Sequence, residues 1–239
     1  MKIGILNADQ LTPEVHKQYG SYSDMIERLL HSVQNTHTYH AYQVAKHHYP
    51  TSIDECDAYL ITGSKANAYD DTPWIKTLRS YIVALDKHRK KLVGICFGHQ
   101  IIAQALGGLV RRHEHGWGVG ITTNQVLITQ PWMKPVKQHI LLRVSHQDQV
   151  TRLPPQAQHV TTNTFCVNSS FQINEHIITF QGHPEFTAEY LQYLIQGRQK
   201  IIGQQRYQQA LTSLHLAVDN AIVAQWILNF MTHPDKSLT

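Results

Sequence analysis

Charge is scarce in this 239-residue sequence: Asp, Glu, Lys and Arg together make up 16% of it against 42% hydrophobic residues, and the formal net charge is only +4. So mild a balance excludes the core-poor compositions of disordered chains, and any nucleic-acid or anionic-membrane surface would need a concentrated basic patch. The one basic cluster is Lys87-His88-Arg89-Lys90-Lys91. It follows an apolar helical pattern, so it reads as the cationic end of a helix against the negative pole of the macrodipole. Cysteine is rarer still: Cys56, Cys96 and Cys166 form no CxxC pair, which argues against a disulfide framework or a CxxC site. Long apolar runs are missing too, no stretch nearing the ~20 residues needed to span a bilayer, and Met1–Leu6 is too short for a signal peptide. A cytoplasmic setting without nucleic-acid or membrane partners is therefore expected. Gly/Ser linkers, low-complexity tracts and internal repeats are absent, so residues 1–239 are read as one domain.

What is present alternates short apolar runs with longer amphipathic ones, the pattern of a mostly parallel sheet covered by helices. Strands are predicted at Lys2–Asn7, His37–Ala45, Ala58–Thr62, Leu92–Ile95 and His176–Phe180, with helices at Tyr22–Gln34, Pro73–Leu85, His99–Leu106, Thr187–Arg206 and Ala210–Phe230. Pro73 suits the first turn of its helix, and Gly107-Gly108 suits the close of another. Between Leu109 and Thr162 the texture shifts to strands separated by turns, Val119–Thr129, Ile140–Val144 and His159–Thr162, more antiparallel than parallel in character.

Gly94-Ile95-Cys96-Phe97-Gly98 lies between a predicted strand and a helical run, a nucleophile-elbow pattern with cysteine where serine is commoner. A side chain on so sharp a turn stands above the sheet at a helix N-terminus, where the dipole favours thiolate, and the flanking glycines permit the tight turn. The pentapeptide also suits a buried cysteine packed as a small hydrophobe. Two other strand ends bear on the choice. His183-Pro184-Glu185 follows the last predicted strand, and in extended chain residues two apart point the same way, so the carboxylate can engage the imidazole. Ile61-Thr62-Gly63-Ser64 ends another strand in a glycine turn, and the carboxyl ends of strands in a doubly wound sheet share one edge. His113-Glu114-His115 lacks a third ligand nearby and reads as a solvated loop; Cys56 and Cys166 stand in no elbow and read as structural thiols.

Gly94-Ile95-Cys96-Phe97-Gly98-His99-Gln100 together with Gly182-His183-Pro184-Glu185 resembles the class I glutamine amidotransferases. The likeness extends to Thr62-Gly63-Ser64, to Val144-Ser145-His146-Gln147-Asp148, and, in the stand-alone GMP-synthase-like members that include γ-glutamyl peptidases, to Tyr69-Asp70-Asp71-Thr72-Pro73-Trp74 and Gly116-Trp117-Gly118-Val119-Gly120. The resemblance implies a flavodoxin-like three-layer α/β/α fold with a mostly parallel central sheet and a small antiparallel excursion. It implies Cys96 as nucleophile, His183 as acid and base, Glu185 as orienter, and backbone N–H groups of Ser64 and Phe97 as the oxyanion hole. Ser64 departs from the family's usual second glycine, which adds a hydroxyl beside the site and keeps the N–H. Gly63, Gln100, Ser145, His146 and Gln147 would hold the amino-acid end of a glutamine or γ-glutamyl substrate, and Asp148 reads as a turn acid. No metal or cofactor is implied. Neither a G-x-x-x-x-G-K-[ST] nor an S-G-G-x-D-[ST] loop is present to activate an acceptor with ATP, so a synthetase would be a separate subunit. Three activities follow: release of ammonia from glutamine for such a partner, hydrolysis of γ-glutamyl peptides or conjugates, or binding without catalysis on the same fold.

Overall fold

The structure, a computed structural model, describes residues 1–234. In chain order its elements begin with β1 (Lys2–Asn7), α1 (Pro13–Tyr19), α2 (Tyr22–Val33), β2 (Thr38–Gln43), β3 (Ala58–Ile61), α3 (Pro73–Lys87), β4 (Lys91–Ile95) and α4 (Phe97–Ala105). There follow β5 (Leu109–Arg112), β6 (Gly118–Val126), β7 (His139–His146), β8 (Asp148–Arg152), β9 (Ala157–Thr162), β10 (Ser170–Ile173) and β11 (Ile177–Phe180). The chain closes with α5 (Ala188–Gly197), α6 (Gln199–Ile202), α7 (Gln204–Ser213) and α8 (Asn220–Thr232).

Among the described residues nine strands form one sheet in the order β2-β1-β3-β4-β11-β10-β9-β6-β7. The first five are mutually parallel, in the arrangement of a flavodoxin-like doubly wound sheet, and the remaining four continue it antiparallel. The antiparallel excursion expected between Leu109 and Thr162 is thus an extension of the same sheet, with β5 and β8 paired as a separate ribbon.

Alternation along the parallel strands explains the layers. Leu60 and Val93 face one side and pack with Ile26, Leu30, Trp226 and Phe230 of α2 and α8. Tyr59, Ile61 and Leu92 face the other and pack with Leu78 and Ile82 of α3 and Ile101 of α4. Each such side chain, once buried, contributes about 1.5–3 kcal/mol. A third cluster joins α5 and α7 to Phe186 and Tyr22 and reaches Trp117 and Val119 at the antiparallel end. No helix among the described residues is long and apolar enough to cross a membrane.

Several expectations shift. The helix predicted over Thr187–Arg206 breaks at Arg198, where φ −107° and ψ 5° end α5, and again at Gly203, which enters α7 at φ +82°. Ala210–Phe230 likewise divides between the end of α7 and α8. The strand predicted to Ala45 stops at Gln43 and gives way to a 3-10 turn, Val44–Lys46. The basic cluster does mark the end of α3, with Lys90 paired to Asp54 at 2.7 Å.

Candidate active site

Three parallel strand ends meet at one point because β4 lies between β3 and β11. The registers set Ile61 beside Gly94 and Phe180 beside Ile95, and the N–H of Cys96 donates to the Phe180 carbonyl at 2.8 Å. The chain then turns directly into α4, two residues earlier than the helical pattern suggests. Cys96 absorbs the turn with φ +53° and ψ −101°, a conformation that costs a non-glycine residue strain and that clusters at functional sites. Only glycine fits on either side. A Cβ on Gly94 would stand 2.6 Å from the Gly98 carbonyl oxygen, and one on Gly98 would stand 2.4 Å from that of Ile61. The elbow is therefore pressed against its neighbouring strand by backbone contact.

Beyond β11 the chain brings His183 back toward β4. The His183 N–H donates to the Arg143 carbonyl at 2.7 Å, anchoring it to β7, and its ring stacks on Phe186 at 3.8 Å with 9° between planes. Its Nδ1 lies 2.7 Å from Glu185 Oε1, and since a carboxylate only accepts, Nδ1–H is the donor. The ring and the Cys96 side chain both stand against Gly63. Burial alone would pull the imidazole's pKa down, but the charges of Cys96 and Glu185 override it and hold His183 well above the ordinary histidine range. An imidazolium backed by the Glu185 side chain is the state this favours for His183. Glu185 is buried, and its other oxygen, Oε2, has no partner, so the imidazole is the group its charge can meet.

The third strand end, after β3, supplies the opposite wall. Thr62 Oγ1 accepts from the Ala8 N–H at 2.9 Å, and Asp9 Oδ2 accepts from the Lys65 N–H at 3.0 Å, so the turn is tied to the end of β1. Gly63 sits against the site: an added Cβ would meet His183 Cε1 at 3.0 Å and Cys96 Cβ at 3.9 Å. The Ser64 hydroxyl accepts from the Ala66 N–H at 3.2 Å. Phe97 opens α4, where backbone N–H groups have no intrahelical partner, and its own ring is buried beside Trp74.

A cleft of about 270 Å³ opens above Cys96. Of the residues singled out from sequence, Ser64, Cys96, Gln100, Ser145, His146 and Gln147 line it. Gly63, Phe97, His183 and Glu185 are not among its lining residues. Gln100 is buried, and its amide donates to the Asp148 carbonyl at 2.8 Å and to Gln181 Oε1 at 3.1 Å, which locks the wall and leaves the amide oxygen toward other partners. Burial drives the His146 pKa down to about 4, so its ring is neutral, with Nδ1–H directed at the Asp148 carbonyl at 3.1 Å.

Sequence reading missed the outer wall. Asp148, taken as a turn acid, opens β8 and lines the cleft, where burial raises its carboxyl pKa. Tyr69, Arg112, Trp117 and Arg198 line it too. Arg198 Nη1 donates to Ser145 Oγ, and its guanidinium lies 5.0 Å from the Trp117 ring centre. Gly197, directly before Arg198, and Gly203, one short helix on, are the sequence hints of the break that brings Arg198 here. Cys56 and Cys166 are buried outside the cleft, and burial pushes the Cys166 thiol up to about 12. Among the described residues no three His, Cys, Asp or Glu side chains are grouped to hold a metal ion.

Comparisons with known proteins agree with this architecture. Over 96% of its length, and 98% of the relative's, the chain is 33% identical to a glutamine amidotransferase-like protein of Schizosaccharomyces pombe. It is 30% identical to gamma-glutamyl peptidase 4 of Arabidopsis thaliana over 73% of this chain and 72% of that protein. A crystal structure of a glutamine amidotransferase from Thermotoga maritima matches with a TM-score of 0.75, covering 96% of this chain and 95% of that one at 17% identity, a likeness of fold. The sequence profile of the family Glutamine amidotransferase class-I matches residues 15–195. More than half of the sequence lies within that match, and the chain belongs to the class-I glutamine amidotransferase family.

Proposed function

We propose that the protein hydrolyses a γ-glutamyl amide through a thioester on Cys96, with His183 as acid and base and Glu185 as its orienter. The observation that carries this reading is the buried His183, joined to Glu185 by the 2.7 Å hydrogen bond and set with Cys96 against Gly63 beside a strained elbow. The Cys96 thiolate adds to the γ-carbonyl carbon, and the negative oxygen is met by the backbone N–H groups of Ser64 and Phe97, each such donor worth about 3–4 kcal/mol. The carbon–nitrogen bond breaks as the His183 imidazolium passes its proton to the departing amine. The neutral imidazole then takes a proton from water, whose oxygen attacks the thioester and expels the thiolate. Glutamate leaves, and the ion pair is restored.

Gly63, Gln100 and the corner Ser145, His146 and Gln147 are assigned to the amino-acid end of the substrate, a role supported by four of these five lining the cleft. With glutamine the leaving amine is ammonia, destined for a separate synthetase subunit. A second reading, a γ-glutamyl peptidase, is favoured by the 30% identity to a plant gamma-glutamyl peptidase over most of both chains. The test is to supply glutamine and γ-glutamyl dipeptides and measure ammonia against released amino acid. Turnover of dipeptides alone selects the peptidase. Stoichiometric labelling of Cys96 by a glutamine-analogue diazoketone is expected under either reading; no labelling and no hydrolysis of any γ-glutamyl compound would overturn both.

A further inference from the structure

Among the described residues three cations line the cleft, and two of them face carboxylates of the chain's own. Lys65 pairs with Asp9 at 3.3 Å. Arg112 stands opposite Asp148 in the register of β5 and β8, close enough for its charge to act on that carboxyl. Arg198 is different. Its guanidinium donates to the Ser145 hydroxyl and lies over Trp117, and it has no ion-pair partner among the described residues. It is half-buried, and the helix break between α5 and α6 is what delivers it to the cleft. A guanidinium offers five N–H donors in a planar fork, and Ser145 takes one of them. The Trp117 ring lies against the guanidinium, and a guanidinium with donors remaining is the group that meets a carboxylate with two parallel hydrogen bonds.

We propose that Arg198 is a specificity-determining residue that binds a carboxylate of the substrate, the α-carboxylate of the γ-glutamyl group. This rests on the γ-glutamyl reading above, because that reading assigns the corner beginning at Ser145 to the amino-acid end. Asp148, at the other end of the same corner, places a carboxyl on the same wall, so the corner offers opposite charges to the two ends of a zwitterion. Ammonia or a neutral amine has no charge for Arg198 to meet, which is why the acyl side of the substrate is its place.

The experiment compares wild type, Arg198→Leu and Arg198→Lys on two pairs of compounds. γ-Glutamyl-p-nitroanilide and 4-aminobutanoyl-p-nitroanilide differ in the α-carboxylate; γ-glutamylglycine and γ-glutamylmethylamide differ in a carboxylate on the leaving group. Arg198→Leu is expected to raise KM for γ-glutamyl-p-nitroanilide roughly ten- to hundredfold, as loss of a charge-assisted hydrogen bond does. Its kcat should hold within a few-fold, the 4-aminobutanoyl compound should be unaffected, and Arg198→Lys should recover part of the loss. Equal losses on both anilides, no change on either, or a loss confined to γ-glutamylglycine against the methylamide would each overturn the assignment. If wild type cleaves glutamine alone, the assignment is read on glutamine, where an unchanged KM in Arg198→Leu would overturn it; if wild type cleaves neither glutamine nor any of the four, the γ-glutamyl reading itself falls and takes the assignment with it; if wild type cleaves them and Arg198→Leu keeps the same preferences, only the assignment falls.

Discussion

On the parallel side of Cys96 everything is dry and fixed by main chain. His183 is 3% exposed and Glu185 5%, and each strand end is held by sheet register or by a backbone hydrogen bond. On the antiparallel side the cleft wall is half open and built from side chains, with Trp117, Arg198 and Tyr69 reaching in from elements far apart in sequence. The difference teaches where each kind of work sits. Bond-breaking chemistry needs groups positioned to fractions of an ångström, which backbone ladders supply; selecting a substrate tolerates adaptable, solvated side chains. Substitutions on the first side should therefore destroy rate, and those on the second should move KM.

The largest effect is expected from Cys96→Ala, a loss of about 10⁴-fold or more in kcat/KM on any γ-glutamyl substrate, because a covalent nucleophile has no understudy. Its thermal midpoint should stay within a few degrees of wild type. Residual activity within tenfold of wild type would remove the thioester from the mechanism.

Next comes Glu185→Gln, with about 10²–10³-fold lost in kcat, since the amide cannot hold the imidazolium as a carboxylate does. The same pair carries a pH signature. The folded pKa of His183 is raised above its ordinary 6.5, so the protonated ring stabilises the fold in full below pH 6.5, and that contribution is lost as pH rises through the raised value. The gap in thermal midpoint between wild type and His183→Gln should accordingly be widest near neutral pH and below, and close in alkaline solution. A gap that widens with pH would mean that burial, which works the other way, governs the ring.

The two sides also differed in how far the sequence revealed them. β3, β4 and β11 are near-continuous apolar runs buried on both faces, so their existence and the glycine turn and His183-Pro184-Glu185 after them could be read directly. That Cys96 and His183 come together at one sheet edge could not, because adjacency of β4 and β11 is made across more than eighty residues of intervening chain. The outer cleft wall was hidden for a related reason. β5 and β8 pair over a long separation, β10 is four residues, and Arg198 sits in a stretch whose apolar spacing continues as though the helix did. α1 was signalled by Pro13 at its first turn and still missed, since its single buried residue, Val15, leaves no periodicity to see.

Glycine substitution sharpens the contrast further. Gly98→Ala would force a Cβ to 2.4 Å from a backbone oxygen of β3, which cannot move without the strand, and a cost of about 1–3 kcal/mol, or roughly 3–10 °C in thermal midpoint, is expected. Gly197→Ala, at the end of α5, meets nothing within 4 Å and lies in a helix, so it should be neutral or stabilise by up to about 1 kcal/mol. Scanning calorimetry on the two variants tests whether the dry side is the rigid one.

The smallest effect separates the wall's two jobs. Trp117 gives Arg198 a face to lie on, and its carbonyl accepts from Arg206 Nη1 at 2.6 Å, so the backbone of this segment is tied to α7 whatever the side chain is. Trp117→Leu keeps that tie and removes the ring. A cation–π contact at a half-exposed site is worth about 0.5–1 kcal/mol, so KM should rise only two- to fivefold with kcat unchanged. If Arg198 were merely a brace between α5 and β7, held by Ser145, the ring would be irrelevant to substrate and KM would not move. If instead kcat fell with KM constant, the wall would be shaping the chemistry, and the division between a dry reacting side and an open selecting side would be wrong.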